Sequence, residues 1–462
     1  MKMENRQPIP WQVSRYEDLR NTGRSVYFDV DDFEEIIDHY LADGAYQEAL
    51  HIAEHASGVH PSSIPIMLKK AQLLASFNKE DHALDLLTTV ETLDPHNNDI
   101  FLTKGAIYSQ LKNYEKAIEE YNKAVFGADE PDFVYCNIAF EYENLGNFDK
   151  TLEYLDKALS INPDNDLAIY EAAYCFDLLS LTEEGISFFQ RLIDRNPYST
   201  EAWFNLGVSY INAGHYERAM QALDYALLID GKHEHSWFHK GYALSLMNRH
   251  NESIEAYKQS MDSGEDDAMK CYYIGECYEK MEEYAMAREW YLKGTERDPT
   301  LADAWIGIGV CEIEEGNAPA SVNYFKKGIE LDPDNVSYLC LLANAYFVQG
   351  HYEDTWLTYE KALKLDPDDE ETWLEYAETL SNAGKHSEAH QLLHRGTQSM
   401  PGNNTLLYSM AAFLFMDGKV QQGTFFLEEA CNLAPGGLKA LTRRFPAITG
   451  NAPFMEAADR LA

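Results

Sequence analysis

The sequence predicts an all-α solenoid, a series of antiparallel helix pairs joined by short turns. Three observations predict it. The first is a fixed period: Leu331-Asp332-Pro333 returns 34 residues later as Leu365-Asp366-Pro367, and that spacing phases the chain from Val30 to Gly437 as twelve repeats without insertion or deletion. The second is punctuation, with glycine near the fifteenth position of many repeats and proline near the thirty-second. The third is the placing of small side chains where two helices would meet.

In chain order, residues 1–29 come first. They hold Trp11, Tyr16, Leu19, Val26, Tyr27 and Phe28, more apolar groups than a solvated tail needs, so a helix or strand-like segment is expected to cap the first repeat. Each repeat opens with a helix whose eighth position is Gly or Ala in all but the first, as in Ala71, Gly105, Gly241, Gly275 and Ala343. Large side chains alternate with these: Trp203, Trp237, Trp305 and Trp373 at position 4, and Tyr108, Tyr142, Tyr210, Tyr278 and Tyr346 at position 11. Such alternation lets antiparallel helices interdigitate at core density.

The turn glycines, among them Gly44, Gly146, Gly214 and Gly316, suit a left-handed helix cap because they carry no Cβ. A second helix follows, always small at position 20 (Ala49, Ala117, Ala219, Ala287, Ala389) and usually small at position 27. Prolines such as Pro163, Pro197, Pro299, Pro333 and Pro367 then separate the repeats, and Asp or Asn beside them caps the next helix. After Gly437 a helix is predicted from Leu438 to Phe445, stopped by Pro446, and a last short one from about Pro453 to Leu461. Residues 438–462 therefore read as a C-terminal cap.

In the sixth repeat, Trp203, Leu206, Gly207, Tyr210, Gly214, Tyr216, Ala219 and Ala226 closely resemble the tetratricopeptide repeat pattern. The resemblance covers about nine tenths of the chain. It departs at Ile37, at Asp129, Gly231 and Glu265 where proline is usual, and at Gly423. It implies a right-handed superhelix of helical hairpins whose first helices line a concave groove. It also implies a non-enzymatic scaffold or adaptor for a protein or peptide partner.

The net charge is -40, from 37 Lys+Arg against 77 Asp+Glu. That field repels phosphate backbones and anionic membrane surfaces, so nucleic-acid binding is disfavoured and basic or neutral partners are favoured. The acidity belongs to the repeats, which hold 28 basic and 71 acidic residues, whereas residues 438–462 hold four basic and two acidic. The start lacks the apolar core of a signal peptide, and no stretch approaches the roughly 18 apolar residues of a membrane span. A cytoplasmic location is expected. The seven cysteines show no disulfide-framework spacing. Cys175, Cys277 and Cys311 share one repeat position and are expected to be small buried packing residues.

By the resemblance, positions 2, 5, 9 and 12 of each first helix face the groove, and their spacing fits one helical stripe. Repeats 4 and 5 place Phe133, Cys136, Phe140, Tyr170 and Tyr174 there. Repeat 6 adds Phe204, Val208 and Ile211, and repeats 7 and 8 add Phe238, Tyr242, Met269 and Tyr272. Carboxylates border the run at Glu143, Asp177, Glu276 and Glu279. Aromatics offer large contact area at low entropic cost, and the acidic border favours Lys, Arg or apolar groups on a ligand. Tyr170, Phe204 and Phe238 are expected to be removable without loss of the fold. The alternative is a structural module that forms homo-oligomers through its ends or convex face.

Two histidine patterns bear on catalysis. His51-Ile52-Ala53-Glu54-His55 matches the H-x-x-E-H form of a zinc peptidase, but both histidines are expected to point outward among packing alanines. His386, His390 and His394 lie four apart on one helix, and no cysteine or carboxylate is placed by sequence to complete a metal shell. There is no phosphate loop, dinucleotide fingerprint or nucleophile motif, and no segment of about 100 residues outside the repeats to fold as a catalytic domain. No enzyme activity, cofactor or metal is expected.

Overall fold

The computed structural model of the chain describes residues 11–22, 27–264 and 267–461. Among the described residues every regular element is helical, with one 3-10 turn at Pro446–Gly450 and no strand. The chain forms two compact units, Met1–Asp230 and Gly231–Ala462. In the first, the helix Trp11–Thr22 precedes helix pairs that run from Val30–Ala42 with Tyr46–Val59 to Thr200–Asn212 with Tyr216–Ile229. In the second, pairs run from Glu234–Leu246 with His250–Ser263 to Asn404–Met416 with Val420–Leu433, followed by Gly437–Arg444 and Ala452–Leu461.

The hairpin turn explains the glycines and also their absences. At Gly146 the backbone turns left-handed with φ of 70°, and its N–H donates to the Glu143 carbonyl at 2.7 Å. The repeats that lack this glycine adopt the same conformation at Asn78, Lys112, Ser180, Asn248 and Glu282, with φ between 55° and 62°. The hairpin therefore imposes the left-handed residue whatever its type, at about 1 kcal/mol for a side chain such as Lys112 or Glu282.

The eighth-position glycines answer to a neighbour that the sequence reading did not single out. A Cβ on Gly275 would stand 2.7 Å from Tyr291 Cδ1, and one on Gly309 would stand 2.6 Å from Phe325 Cε1. Tyr291 and Phe325 occupy position 24 of their repeats and are buried. Where the eighth residue is Ala139, the residue at position 24 is the smaller Leu155, and both are fully buried. Hydroxyls at position 20 are buried too, and Ser253 Oγ donates to the Gly241 carbonyl at 2.7 Å.

The linkers are tied down by side chains on both sides. The indole N–H groups of Trp203, Trp237, Trp305 and Trp373 donate to the carbonyls of Pro197, Gly231, Pro299 and Pro367 at 2.9–3.0 Å. Asn165 caps its helix by accepting from the Ala168 N–H at 3.0 Å, and its amide donates to Asp132 at 2.9 Å. Glu265, where proline is usual, lies outside the described residues.

At the start, Val13 and Tyr16 are buried in one cluster with Phe28, Phe33, Ile36 and Ile37, while Trp11 and Tyr27 stay exposed. Val26 and the side chain of Leu19 lie outside the described residues. At the other end Leu441, Phe445, Ile448 and Phe454 bury the apolar side of the last pair. Phe445 meets Phe413 edge to face at 5.0 Å, and Phe454 meets Phe415 at 5.5 Å. Cys175, Cys277 and Cys311 are buried, and burial with the nearby Glu171 and Glu143 pushes the Cys175 thiol up to about 12. Such a thiol is a packing group and a poor nucleophile at neutral pH.

Candidate functional site

Spacing assigns a side of a helix; packing decides how far each residue on that side stands clear. On the Pro131–Asn144 and Asp166–Leu178 helices, Phe133, Tyr170 and Tyr174 are 49%, 69% and 46% exposed. Phe140, Phe204 and Val208 are half-buried. Cys136 and Ile211 are buried and offer no free surface. A cavity of about 400 Å³ opens beside Phe133, lined by Gln72, Leu102, Thr103, Ala106 and Asn137 from successive first helices. Its polar lining, Gln72, Thr103 and Asn137, lies outside the aromatic stripe read from sequence.

Carboxylates sit beside the exposed rings. Asp177 is exposed and accepts from the Asn212 amide at 3.2 Å. Glu143 is half-buried and shares a hydrogen bond with Glu171, a buried residue one position from Tyr170. Two carboxyl groups bond this way only when one keeps its proton. Burial first, then the hydrogen bond and charge of Glu143, push the Glu171 carboxyl up to about 7.

A raised folded-state value means that the native chain holds this proton more tightly than the unfolded chain. The contribution to stability is complete below the unfolded value near 4.5 and is lost as pH rises through about 7. Glu171→Gln is therefore expected to stabilise the chain by on the order of 1 kcal/mol at pH 8 and to change little at pH 4. Melting curves at the two pH values check this; an equal shift at both would contradict the shared proton.

In the Gly231–Ala462 unit the stripe leans further inward. Tyr242 and Met269 are 36% and 41% exposed, but Phe238 and Tyr272 are half-buried. Phe238 packs 5.5 Å from Tyr257 and 5.4 Å from Tyr273, and Tyr272 packs 5.7 Å from Tyr291. The expectation that Phe238 is freely removable is corrected here: its ring helps to fill the core around the fully buried Tyr257. Glu279 accepts from the Tyr291 hydroxyl at 2.7 Å, so part of its charge is spent inward. Burial, with Glu279 and Asp303 nearby, raises the Glu276 carboxyl above its ordinary value.

Comparison with known proteins bears on the family. Profiles described as tetratricopeptide repeat match residues 99–125, 133–165, 188–221, 234–263, 271–301, 302–335, 324–356 and 358–391, together more than half of the chain. The chain belongs to the tetratricopeptide repeat family. The BBSome complex member BBS4 of Bos taurus is 24% identical over 128 residues, which is 27% of this chain and 24% of that protein. The TPR repeat-containing protein YpiA of Bacillus subtilis (strain 168) is 25% identical over 130 residues, 28% of this chain and 30% of that protein. The chain thus spans less than a third of the length of these two relatives. Among solved structures, the APC/C hetero-tetramer Cut9-Hcn1 covers 84% of this chain and 90% of that chain at 14% identity, with a TM-score of 0.42. YrrB, described as a TPR protein with an unusual peptide-binding site, covers 39% of this chain and 93% of that chain at 19% identity, with a TM-score of 0.34.

The histidines sit on second helices of this tetratricopeptide array. His51 and His55 are exposed, and the His55 ring rests 5.7 Å from Phe33. His390 meets a carboxylate that the sequence did not place there, Asp417 at 3.3 Å. Lys419 stands 2.8 Å from the same His390 nitrogen, so an ammonium group takes the position a metal would need. Among the described residues no group of three or more His, Cys, Asp or Glu side chains converges as a metal shell. None of the described helices is long and apolar enough to cross a membrane.

Proposed function

We propose that the chain is a non-enzymatic scaffold that binds a protein or peptide partner through the first-helix face around Phe133, Tyr170 and Tyr174. The same reading takes residues 30–437 as twelve repeats between end caps at 1–29 and 438–462. The observation that carries it is three large aromatic rings left exposed on adjacent first helices, of which Phe133 also lines an open cavity. Aromatic anchors of this kind dominate interface energetics, and each offers about 150–250 Å² to bury. Glu143 and Asp177 beside them favour a ligand that carries Lys or Arg among apolar residues. The matched relatives support a binding role, since BBS4 is described as a member of a complex.

The test is the triple variant Phe133→Ala, Tyr170→Ala and Tyr174→Ala. Partners that co-purify with the wild-type chain should fall at least tenfold by quantitative mass spectrometry, while helicity and melting temperature hold. An unchanged partner set would sink the reading. Loss of the fold would also sink it, by placing the rings in the core.

A further inference from the structure

One ion-pair cluster in the second compact unit joins Arg444 to a first helix far back in sequence. Glu371, Glu375 and Glu378 lie on the Glu370–Asn382 helix, spaced so that successive turns bring all three to one side. Glu371 and Glu378 fall on positions 2 and 9 of their repeat, the side on which a partner is expected. The guanidinium of Arg444 is seated on them. Its two terminal nitrogens donate to the two oxygens of Glu371 at 2.8 and 3.1 Å, and its Nε donates to Glu378.

We propose that Glu371 and Glu378, with Glu375 between them, form a binding site for an arginine side chain, that the chain's own Arg444 is its resident occupant, and that an arginine-bearing peptide of a partner binds by displacing it. The proposal shares the scaffold reading but not the aromatic face of Phe133 and Tyr170, so failure of either leaves the other standing.

Geometry makes the site selective for arginine. A planar fork can satisfy Glu371 through two parallel bonds while its third nitrogen reaches Glu378 two turns away; an ammonium group cannot do both. Electrostatics agree. Burial alone would lower Arg444, but the hydrogen bonds to Glu371 and Glu378 outweigh it and hold the guanidinium above its ordinary value. Burial and the flanking Glu371 and Glu378 raise the Glu375 carboxyl, and Arg444 works against that rise. Without a cation, three carboxylates would crowd one helix face.

Arg444 is also placed as an occupant that can leave. The Gly437–Arg444 helix is anchored by Leu441 and Phe445, which are buried independently of the ion pairs. Arg444 is the last residue of that helix. Beside it a cavity of about 540 Å³ remains between this helix and Asn404–Met416, lined by Asn404, Thr405, Tyr408 and Ser409. That space can take the neighbouring side chains of an incoming peptide. A basic segment at the end of an otherwise acidic chain thus holds the place of a basic ligand.

The probe is a fluorescein-labelled, amidated peptide that reproduces residues 438–446, titrated by polarisation against the full-length chain. A tethered competitor acts at roughly millimolar effective concentration, so the wild-type chain should bind the probe weakly. Arg444→Ala should bind it at least tenfold more tightly. Adding Glu371→Gln and Glu378→Gln to that variant should abolish the gain, and a probe with lysine in place of the Arg444 residue should bind several-fold more weakly. Arg444→Gln, which keeps the side-chain stem, repeats the test if Arg444→Ala loses helicity. Equal binding to wild type and to both Arg444 variants, or no binding to any, overturns the proposal. So does retention of the gain after the two carboxylates are neutralised.

Discussion

Replacing Gly309 with valine is expected to destabilise the chain by about 3 kcal/mol, the upper end of the range for overpacking a tight helix contact. A Cβ at this position would stand 2.6 Å from the ring of Phe325, which is fully buried, so neither side can move into free space. Gly309→Ala should cost less, about 1–2 kcal/mol, because the better helix propensity of alanine offsets part of the clash. The fold supplies its own remedy. In the repeat that has Ala139 in the equivalent place, the residue across from it is the smaller Leu155. Gly309→Ala with Phe325→Leu should therefore show a favourable coupling of about 1 kcal/mol or more in a double-mutant cycle. Additive effects would mean that the two positions do not share one contact.

Phe238→Ala is expected to lose about 3 kcal/mol, whereas Tyr170→Ala should change stability by no more than about 0.5 kcal/mol. Both residues were read from sequence as parts of one stripe. Phe238, however, lies within 5.5 Å of Tyr257 and Tyr273, while Tyr170 keeps more than two thirds of its surface in solvent. Chemical denaturation of the two single variants checks the contrast. Similar losses for both would show that exposure does not separate anchors from core on this face.

Much of the fold was legible because a repeat shows each structural demand many times over. The period, the turn glycine, the separating proline and the small eighth residue each mark a place where backbone geometry or close approach restricts the side chain. The left-handed turns at Lys112 and Glu282 were not legible, since nothing about Lys or Glu announces that conformation. The partner of the eighth position stands at position 24, but no fixed pairing of residue types marks it, since glycine meets Tyr291 in one repeat and Leu223 in another.

The site was legible only as far as helical spacing reaches. Spacing puts Phe133, Tyr170 and Tyr174 on one side of their helices but gives no depth, so it groups buried Cys136 and Ile211 and the leaning Phe238 and Tyr272 with these exposed rings. Glu171 escaped notice because it stands at the sixth position, beside the stripe, and acquires its meaning from Glu143 on the preceding first helix. Arg444 escaped for the same reason at longer range, since its partners lie 66 and 73 residues away. Asp417 came to His390 from a neighbouring hairpin. Contacts between repeats are set by the fold and not by local pattern.

The most direct measurement of the scaffold claim is hydrogen–deuterium exchange on the chain alone and on the complex recovered by co-purification. A partner held on the first-helix face predicts new protection along Pro131–Asn144 and Asp166–Leu178, with the second helices Phe148–Ile161 and Thr182–Arg195 unchanged. Protection confined to those second helices, or to the two ends of the chain, would contradict it.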